Sequence, residues 1–517
     1  MEKLKIFIRG KAFLFIALVI GCISLLFIGQ EKQYGLFAWL APLFLLQFSR
    51  RAKTAQFILL FTFLVMVGII TQRTHNLFND PFFAFINGLA FALVNSLIYF
   101  IDRILYTKEG KFLQTFIFPS VYVVIEVLTT SVLGSSGVLA QSQFSFTPLA
   151  QLSSLTGLHG ITFIICWLAA IVFWLSENDF NPVKIKSSMI TFGTVFILII
   201  GYGFVQMNTQ PEAQQKVNVA TVSGPFDLLR LAEREKETLL QLGKMPDMKI
   251  PSSFFSNEDD INTQLKNTRK AAEVGAKIIV WNEAALFINQ QQLPNLLAEV
   301  KEISRSFNVY ILMAFFEENN SKAPKPINNK SVLIHKNGTT AWEYKKAHPT
   351  PAELPLVNAG DSQLPYLNTE YGKLSNVICY DYDFPTLIKE ANKNKVDIML
   401  VPSYDWQGFA PMHAKMAQFA SLQNGHSLIR ANGSDGINMV VNQQGKLVAK
   451  QFTSENSERI LYADLPVGSS PTIYAKIGNI LVLLCFGFLL FSVYVKIQFY
   501  RKRTKTVYSI GTRKTTN

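Results

Sequence analysis

The sequence predicts an α/β domain of alternating helices and strands, inserted before the last of a series of membrane-spanning helices. Three observations carry this expectation. Of 517 residues, 49% are hydrophobic and 42 are Phe, a high apolar content for a chain lying wholly in water. The apolar residues gather in segments at about 12–29, 34–49, 55–71, 82–101, 113–133, 157–175 and 187–206, and again at about 477–497. The charge is divided in the same way. Residues 1–206 carry 14 Lys and Arg against 8 Asp and Glu, and residues 475–517 carry 8 against none, while 207–474 carry 27 against 28. The net charge of +13 therefore sits beside the apolar segments, which excludes a basic patch for nucleic acid in the middle of the chain.

The first apolar segment follows Lys3, Lys5, Arg9 and Lys11. No small-residue cleavage site succeeds it, so it reads as an uncleaved anchor. Connections on the side of the N-terminus hold Arg50, Arg51 and Lys53, then Arg103, Lys108 and Lys111, then Lys184 and Lys186, and finally Lys496 and the basic tail. The opposite connections hold little beyond Lys32 and Arg73. Eight spans with both termini cytoplasmic place the middle domain outside the cytoplasm. The expected division is 1–211 for seven spans, 212–472 for the α/β domain, and 473–517 for the last span and tail. Glu126 lies inside the fifth span, where a carboxylate is costly; a packing role and a functional one are equally open.

The middle domain opens on KVNVATVSG (216–224), which alternates as an entry strand should. Leu228 to Leu242 reads as a helix. The loop 243–255 then exposes Met245, Met248, Ile250, Phe254 and Phe255, as a lid, a membrane-touching element or an ordinary packed loop. From residue 261 helix and strand alternate: a helix ending at Gly275, the strand KIIVWNE ending at Glu283, a helix LPNLLAEVKEISRSFN and a strand VYILMAFFE. A hairpin turns at Asn337-Gly338, and the apolar run before Cys379 reads as a strand with that cysteine as its last residue. A helix begins near Pro385, followed by the strand VDIMLVPSYDW, a helix through MHAKMAQFASLQNG, the strand HSLIRAN and a last hairpin at Gln444-Gly445.

Cys22, Cys166 and Cys485 lie in apolar segments, leaving Cys379 alone in the middle domain, where it has no disulfide partner. Glu283, Lys346 and Cys379 all stand at or just past strand ends. Acyl transfer by a thiol needs a base for its proton, a cation or N–H dipoles for the oxyanion, and the nucleophile itself. Glu283, Lys346 and Cys379 supply these roles in that order. Strand-end Glu and Lys are more often simply solvated, and a strand cysteine is more often buried and inert; their joint occurrence is what points to chemistry. A Cys-His alternative using His348, His413 or His426 is unnecessary beside an intact Glu-Lys pair.

With WNE, YKKAHPTPAE, ICYD, SYDWQGFAPMHAKMAQFASLQNG and RANGSDG in place, the chain resembles the nitrilase (carbon-nitrogen hydrolase) superfamily and, within it, the membrane-bound apolipoprotein N-acyltransferase family. The resemblance implies a four-layer αββα sandwich and a Glu-Lys-Cys triad at Glu283, Lys346 and Cys379. It implies a supporting carboxylate at Glu353, supporting or substrate-binding positions at Tyr380 and Asp381, and no cofactor or metal. The chain departs from the family at Asn282, Ala284 and Asp381, where Pro, Ser and Glu are usual. The implied reaction moves an acyl chain from a membrane phospholipid through a cysteine thioester to the N-terminal amine of a diacylated apolipoprotein. The implied location is the bacterial cytoplasmic (inner) membrane, with the catalytic domain on the extracytoplasmic side. A membrane-tethered amidase and a catalytically silent binding or assembly protein are the alternatives. The loop carrying Trp406 is expected to form a mobile rim through which acyl chains reach Cys379.

Overall fold

The computed structural model describes residues 10–28, 34–75, 81–107, 112–208, 215–245, 248–319, 324–455, 458–468 and 472–513. They form two compact units: residues 130–136 with 207–478, and the helical remainder. The helical unit contains α1 (Lys11–Ile28), α2 (Gly35–Arg51), α3 (Phe57–His75), α4 (Pro81–Leu105), α5 (Ile117–Leu133, up to residue 129), α6 (Leu158–Glu177), α7 (Pro182–Asn208) and, after the α/β unit, a helix over Ile480–Arg513.

Among the described residues seven helices, six N-terminal and one C-terminal, are long and apolar enough to cross a membrane, one fewer than the eight segments expected. The difference is α2, whose 17 residues span about 25 Å at 1.5 Å per residue. Pro42 interrupts it, and Arg50 and Arg51 occupy its last turn. These arginines are paired. Arg50 grips Asp102 through Nε–Oδ2 (2.8 Å) and Nη2–Oδ1 (2.7 Å), and Arg51 Nη2 reaches Glu177 Oε1 at 3.1 Å. Arg103 Nη1 donates to Ser49 O at 2.8 Å. The C-terminal ends of α2, α4 and α6 thus meet, so these three helices point the same way. Glu126 is paired on both oxygens: its Oε2 lies 2.8 Å from His159 Nδ1, and its Oε1 accepts from Leu139 N at 3.0 Å.

The α/β unit contains two mixed sheets. The first has the order β13-β1-β2-β4-β5-β6, with β3 beside β4. Its strands are β1 (Lys216–Val222), β2 (Ile278–Trp281), β3 (Phe287–Ile288), β4 (Tyr310–Glu318), β5 (Ile327–Ile334), β6 (Thr340–Lys345) and β13 (Ile460–Pro466). The second runs β12-β11-β10-β9-β8-β7, from β7 (Tyr366–Thr369), β8 (Gly372–Asn376), β9 (Ile398–Tyr404), β10 (Ser427–Gly433), β11 (Ile437–Val441) and β12 (Leu447–Phe452). The central strands β1, β2 and β4 are parallel, as are β8, β9 and β10. Such strands are covered on both faces, which is why KIIVW and DIMLV read as unbroken apolar runs.

Strand alternation sorts the core into layers. Ile278 and Val280 face the second sheet, against Leu374, Ile398, Leu400 and Ile429. Ile279 and Trp281 face the other way, onto helices α8 (Glu258–Glu273) and α9 (Leu293–Phe307), through Ala271, Leu296, Val300 and Ile303. On the far side of the second sheet, Met399, Val401 and Leu428 meet α10 (Pro385–Lys393) and α11 (Ala410–Asn424) through Leu387, Ile388, Ala414 and Ala417. The layers run helix, sheet, sheet, helix. Each large apolar side chain so buried contributes about 1.5–3 kcal/mol.

Two local expectations are corrected, and a third, left open, is decided. The helix expected over 228–242 is two, Leu228–Arg234 and Lys236–Lys244. The strand before the cysteine ends at Asn376, not at Cys379. The loop 243–255 is mostly packed: Ile250 and Phe254 are buried with Leu242, Phe287, Phe316 and Val357, and Met248 and Phe255 pack against them. Met245 stays exposed.

Candidate active site

Glu283 stands two residues beyond β2, and Lys346 directly follows β6. Cys379 follows β8 by three residues and opens a tight 3-10 turn, Cys379–Asp383. The carboxyl ends of these strands bring the three residues together. Lys346 Nζ donates to Glu283 Oε1 at 2.7 Å and to Glu353 Oε2 at 2.6 Å. Asn329 Nδ2, from β5, bridges the same carboxylates, at 2.7 Å from Glu283 Oε1 and 3.0 Å from Glu353 Oε1. Thr350 N completes Glu353 by donating to Oε2 at 2.8 Å. Lys346 is 1% and Glu283 3% exposed, so these are interior charges held by one another.

Burial pushes the Glu283 carboxyl up, against the lowering effect of Lys346. Burial also acts to lower the Lys346 ammonium, but Glu283 and Glu353 outweigh it and raise it well above the usual range. Glu353 goes the other way from Glu283. Its burial is overcome by Lys346 and its hydrogen bonds, so it stays an anion. Two carboxylates on one lysine thus have different proton affinities, as an acid–base catalyst and its support require. The Cys379 thiol is raised by burial, with Glu283 and Lys346 as the nearest strong electrostatic influences, of opposite sign.

Cys379 has φ +50° and Ala284, beside Glu283, also has φ +50°. The left-handed region is uncommon for residues other than glycine and persists where surrounding bonds over-determine it. Asp381 supplies such bonds. Its carboxylate accepts from Tyr344 Oη (2.8 Å), Ala347 N (3.1 Å), His348 N (2.7 Å) and Ile378 N (3.3 Å), tying the segment after Lys346 to the cysteine turn. It is fully buried. Tyr380 donates to Leu133 O at 2.8 Å, and Ser135 N donates to Asp383 O at 2.9 Å, so residues 130–136 brace the same turn. Trp406 stacks on Phe409 at 5.0 Å in the loop after β9.

Sequence reasoning missed Asn329. Its signal is the polar triplet Asn328-Asn329-Lys330 in a strand whose every residue is buried. It also gave no role to Asp383, Asp405 and Arg430, which surround His413 next to the cysteine. The Sγ of Cys379, an Asp405 oxygen and a His413 ring nitrogen lie within 4.8 Å of one another, close enough to suit a metal ion. Both ring nitrogens lie against carboxylate oxygens, however, and Arg430 Nη2 is 2.9 Å from Asp405 and 2.8 Å from His413 Nδ1, so charged partners already surround these atoms.

The carbon-nitrogen hydrolase family matches residues 246–472, and the apolipoprotein N-acyltransferase N-terminal domain matches residues 21–171. The first match falls on the α/β domain and the second on the N-terminal helices. The chain belongs to the apolipoprotein N-acyltransferase family. Its family relatives are distant: the apolipoprotein N-acyltransferase of Rickettsia prowazekii is 23% identical over 417 residues, covering 75% of this chain and 78% of that one. That of Geobacter metallireducens is 23% identical over 375 residues, 67% of each chain. A deaminated glutathione amidase of Dictyostelium discoideum is 25% identical over 194 residues, 34% of this chain and 66% of that one. Among solved structures, an amidase from Nesterenkonia sp. aligns at 16% identity and a TM-score of 0.38, covering 54% of this chain and all of that one.

Proposed function

We propose that this family member transfers an acyl chain from a membrane phospholipid, through a thioester on Cys379, to the N-terminal amine of a diacylglyceryl-cysteine apolipoprotein. The observation that carries the reading is the buried Glu283–Lys346–Glu353 cluster beside a lone cysteine, in a chain with seven membrane-length helices. Glu283 takes the proton of the Cys379 thiol, and the thiolate attacks the ester carbonyl. Lys346 and the backbone N–H groups after Cys379 face the developing oxyanion. Collapse expels the lysophospholipid alkoxide, which takes the proton back from Glu283. The acceptor amine then attacks the thioester and gives its proton to Glu283, and the cysteine sulfur leaves. A carboxyl pushed up by burial suits a group that must accept and return one proton in each half-reaction. Glu353, held as an anion, keeps Lys346 charged throughout.

The same reading puts α2 across the membrane as an eighth span, in line with the meeting ends of α2, α4 and α6. The basic end of the last helix accords with it, since Lys496 Nζ donates to Ile104 O at the end of α4. Both termini are then cytoplasmic and the catalytic unit lies outside the cytoplasm. Both substrates are lipid-anchored, and drawing an acyl chain into water costs about 0.8 kcal/mol per CH₂, so an enzyme fixed in the same bilayer avoids that cost. Incubation with a phospholipid carrying a labelled acyl chain tests the function. A labelled thioester on Cys379 that an N-terminal diacylglyceryl-cysteine peptide discharges is the expected result. Turnover of a small amide without lipid labelling would mean an amidase, and no labelling by either would mean a silent protein.

A further inference from the structure

The layer between the second sheet and α11 is apolar along most of its length, but behind Cys379 it holds four charged side chains that the reaction above does not use. His413, from α11, lies between two carboxylates: its Nδ1 is 2.7 Å from Asp405 Oδ1 and its Nε2 is 3.2 Å from Asp383 Oδ2. Arg430, from β10, places Nη2 at 2.9 Å from Asp405 Oδ2, and Asn432 Nδ2 donates to the same oxygen at 2.6 Å. His413, Asp383, Asp405 and Arg430 are each at most 3% exposed. A neutral imidazole has one N–H and one lone pair. Nδ1 also lies 2.8 Å from Arg430 Nη2, so a ring protonated on Nε2 alone could accept from Arg430 but would set its lone pair 2.7 Å from Asp405 Oδ1; the doubly protonated ring is the form that pairs with both carboxylates. Asp383 is the last residue of the turn that Cys379 opens, and Asp405 directly follows β9.

We propose that His413 is a positioning residue: as an imidazolium it clamps the Cys379 turn to the carboxyl end of β9, and so holds the nucleophile in its left-handed backbone conformation. Asp381 ties the front of that turn to the segment after Lys346, and His413 ties its rear. The charges balance within the layer, two carboxylates against one imidazolium and one guanidinium. Loss of the His413 proton leaves two buried anions with only Arg430 between them, close to the sulfur. The groups that face the ring are Asp383 from the turn, Asp405 from β9, Arg430 from β10 and the Cys379 thiol. Strand β11, also packed on α11, has no titratable residue, and the Thr472–Gln423 bond meets the opposite end of the helix. The Phe409 ring lies over His413 at 4.8 Å and keeps water off it. Burial lowers the His413 proton affinity, but Asp405 and Asp383 outweigh it and push it up to about 9. The sign follows: the raised value means that the clamp is complete below the ordinary histidine range and is lost as pH rises through about 9.

The proposal rests on Cys379 being the nucleophile of the acyltransferase reading, and three measurements on the full-length protein test it. In protein labelled with ¹³C-histidine, the ring signal missing from His413→Gln should titrate near pH 9; a midpoint at or below the ordinary histidine value overturns the clamp. Formation of the Cys379 thioester should fall about 10²-fold in His413→Ala with the phospholipid KM unchanged, since small displacements of a nucleophile cost that much, and His413→Gln should recover part of the loss. A His413→Ala protein that acylates at the unmutated rate overturns it. Asp383→Asn preserves shape but offers an amide N–H to a neutral imidazole, so it should remove the activity loss near pH 9; a retained loss counts against the clamp. If the unmutated protein forms no thioester, the acyltransferase reading fails on its own. Alkylation of Cys379 by iodoacetamide still decides the clamp, because His413→Ala leaves carboxylates uncompensated beside the sulfur and should slow alkylation at least tenfold. An unchanged alkylation rate overturns it.

Discussion

Asn329→Ala separates chemistry from packing at this site. Asn329 is fully buried, and its one amide group donates to both carboxylates that hold Lys346. A hydrogen bond to a charged group contributes about 1.5–3 kcal/mol, so two such bonds set an upper bound of about 3–6 kcal/mol; water entering the vacated space returns part of it. We expect a stability loss of about 3 kcal/mol, measured by denaturant unfolding of the detergent-solubilised protein. The bond from Asn329 also favours the ionised form of Glu283. Its removal raises the Glu283 carboxyl further, so less of it is free to accept the thiol proton at a given pH. The acid limb of the acylation rate should therefore move to higher pH, and the rate at neutral pH should fall about 10²-fold, equivalent to about 2.7 kcal/mol at 1.36 kcal/mol per tenfold. Asn329→Asp, nearly identical in shape, should be worse, because it sets a third carboxylate against the other two. The assay is single-turnover formation of the labelled thioester between pH 5 and 9. An unmoved acid limb with a rate within about twofold of the unmutated protein, or an Asn329→Asp protein better than Asn329→Ala, would falsify the assignment of Glu283 as base.

Cys379→Ala should abolish both thioester and product, whereas Lys346→Ala and Glu283→Gln should each lose on the order of 10² or more in turnover; unchanged activity removes a residue from its role. Lys346→Ala should also lower stability by about 3–5 kcal/mol, because it leaves two buried carboxylates without their cation, and a thermal melt reads that directly. A reporter active only outside the cytoplasm should be active when fused after Gln214 and silent after Lys505; the reverse pattern sinks the orientation. Trp406→Ala, with hydrogen exchange on its loop, tests the acyl-chain rim: slow exchange unaffected by phospholipid, with transfer intact, means that acyl chains enter elsewhere.

The α/β frame was legible because buried strands and amphipathic helices write their periods directly into the chain. KIIVW and DIMLV are apolar on both faces, and the hairpins turn where Gly338 and Gly445 take φ +84° and +73°. The cysteine strand was misjudged by three residues because nothing in SNVIC marks where pairing stops. Val377 and Ile378 are as apolar as a strand requires, yet the bonds that bend the chain come from Asp381 and from residues near Lys346, more than thirty positions away. The loop 243–255 stayed open between a lid, a membrane-touching element and a packed loop for a related reason. Its apolar side chains meet Phe287, Phe316 and Val357, and a local pattern cannot tell an apolar loop with such a partner from one without. Glu283, Lys346, Glu353 and Cys379 were singled out through the reactivity of their types and through resemblance. Asn329 and His413 have ordinary types, and only their neighbours give them a task.

The departures at Asn282, Ala284 and Asp381 share one physical character. Asn282 accepts from Gly224 N at 2.6 Å and donates to Glu283 O at 2.7 Å, so it fixes the backbone that carries Glu283 without touching the carboxylate. Ala284 takes a positive φ, and its small side chain is fully buried in the space available there. Asp381 spends its oxygens on five backbone and side-chain contacts around the cysteine turn. All three therefore act on the main chain behind the reacting groups. The acid at 381 is bonded by the N–H groups of Ala347 and His348, and the asparagine at 282 secures the backbone on either side of it by hydrogen bonds. All three are fully buried, so the side chains that remain accessible to a substrate lie elsewhere. The loop of Trp406 and Phe409 is such a place, since its aromatic pair is only partly buried and its own backbone leads straight into the helix that carries His413.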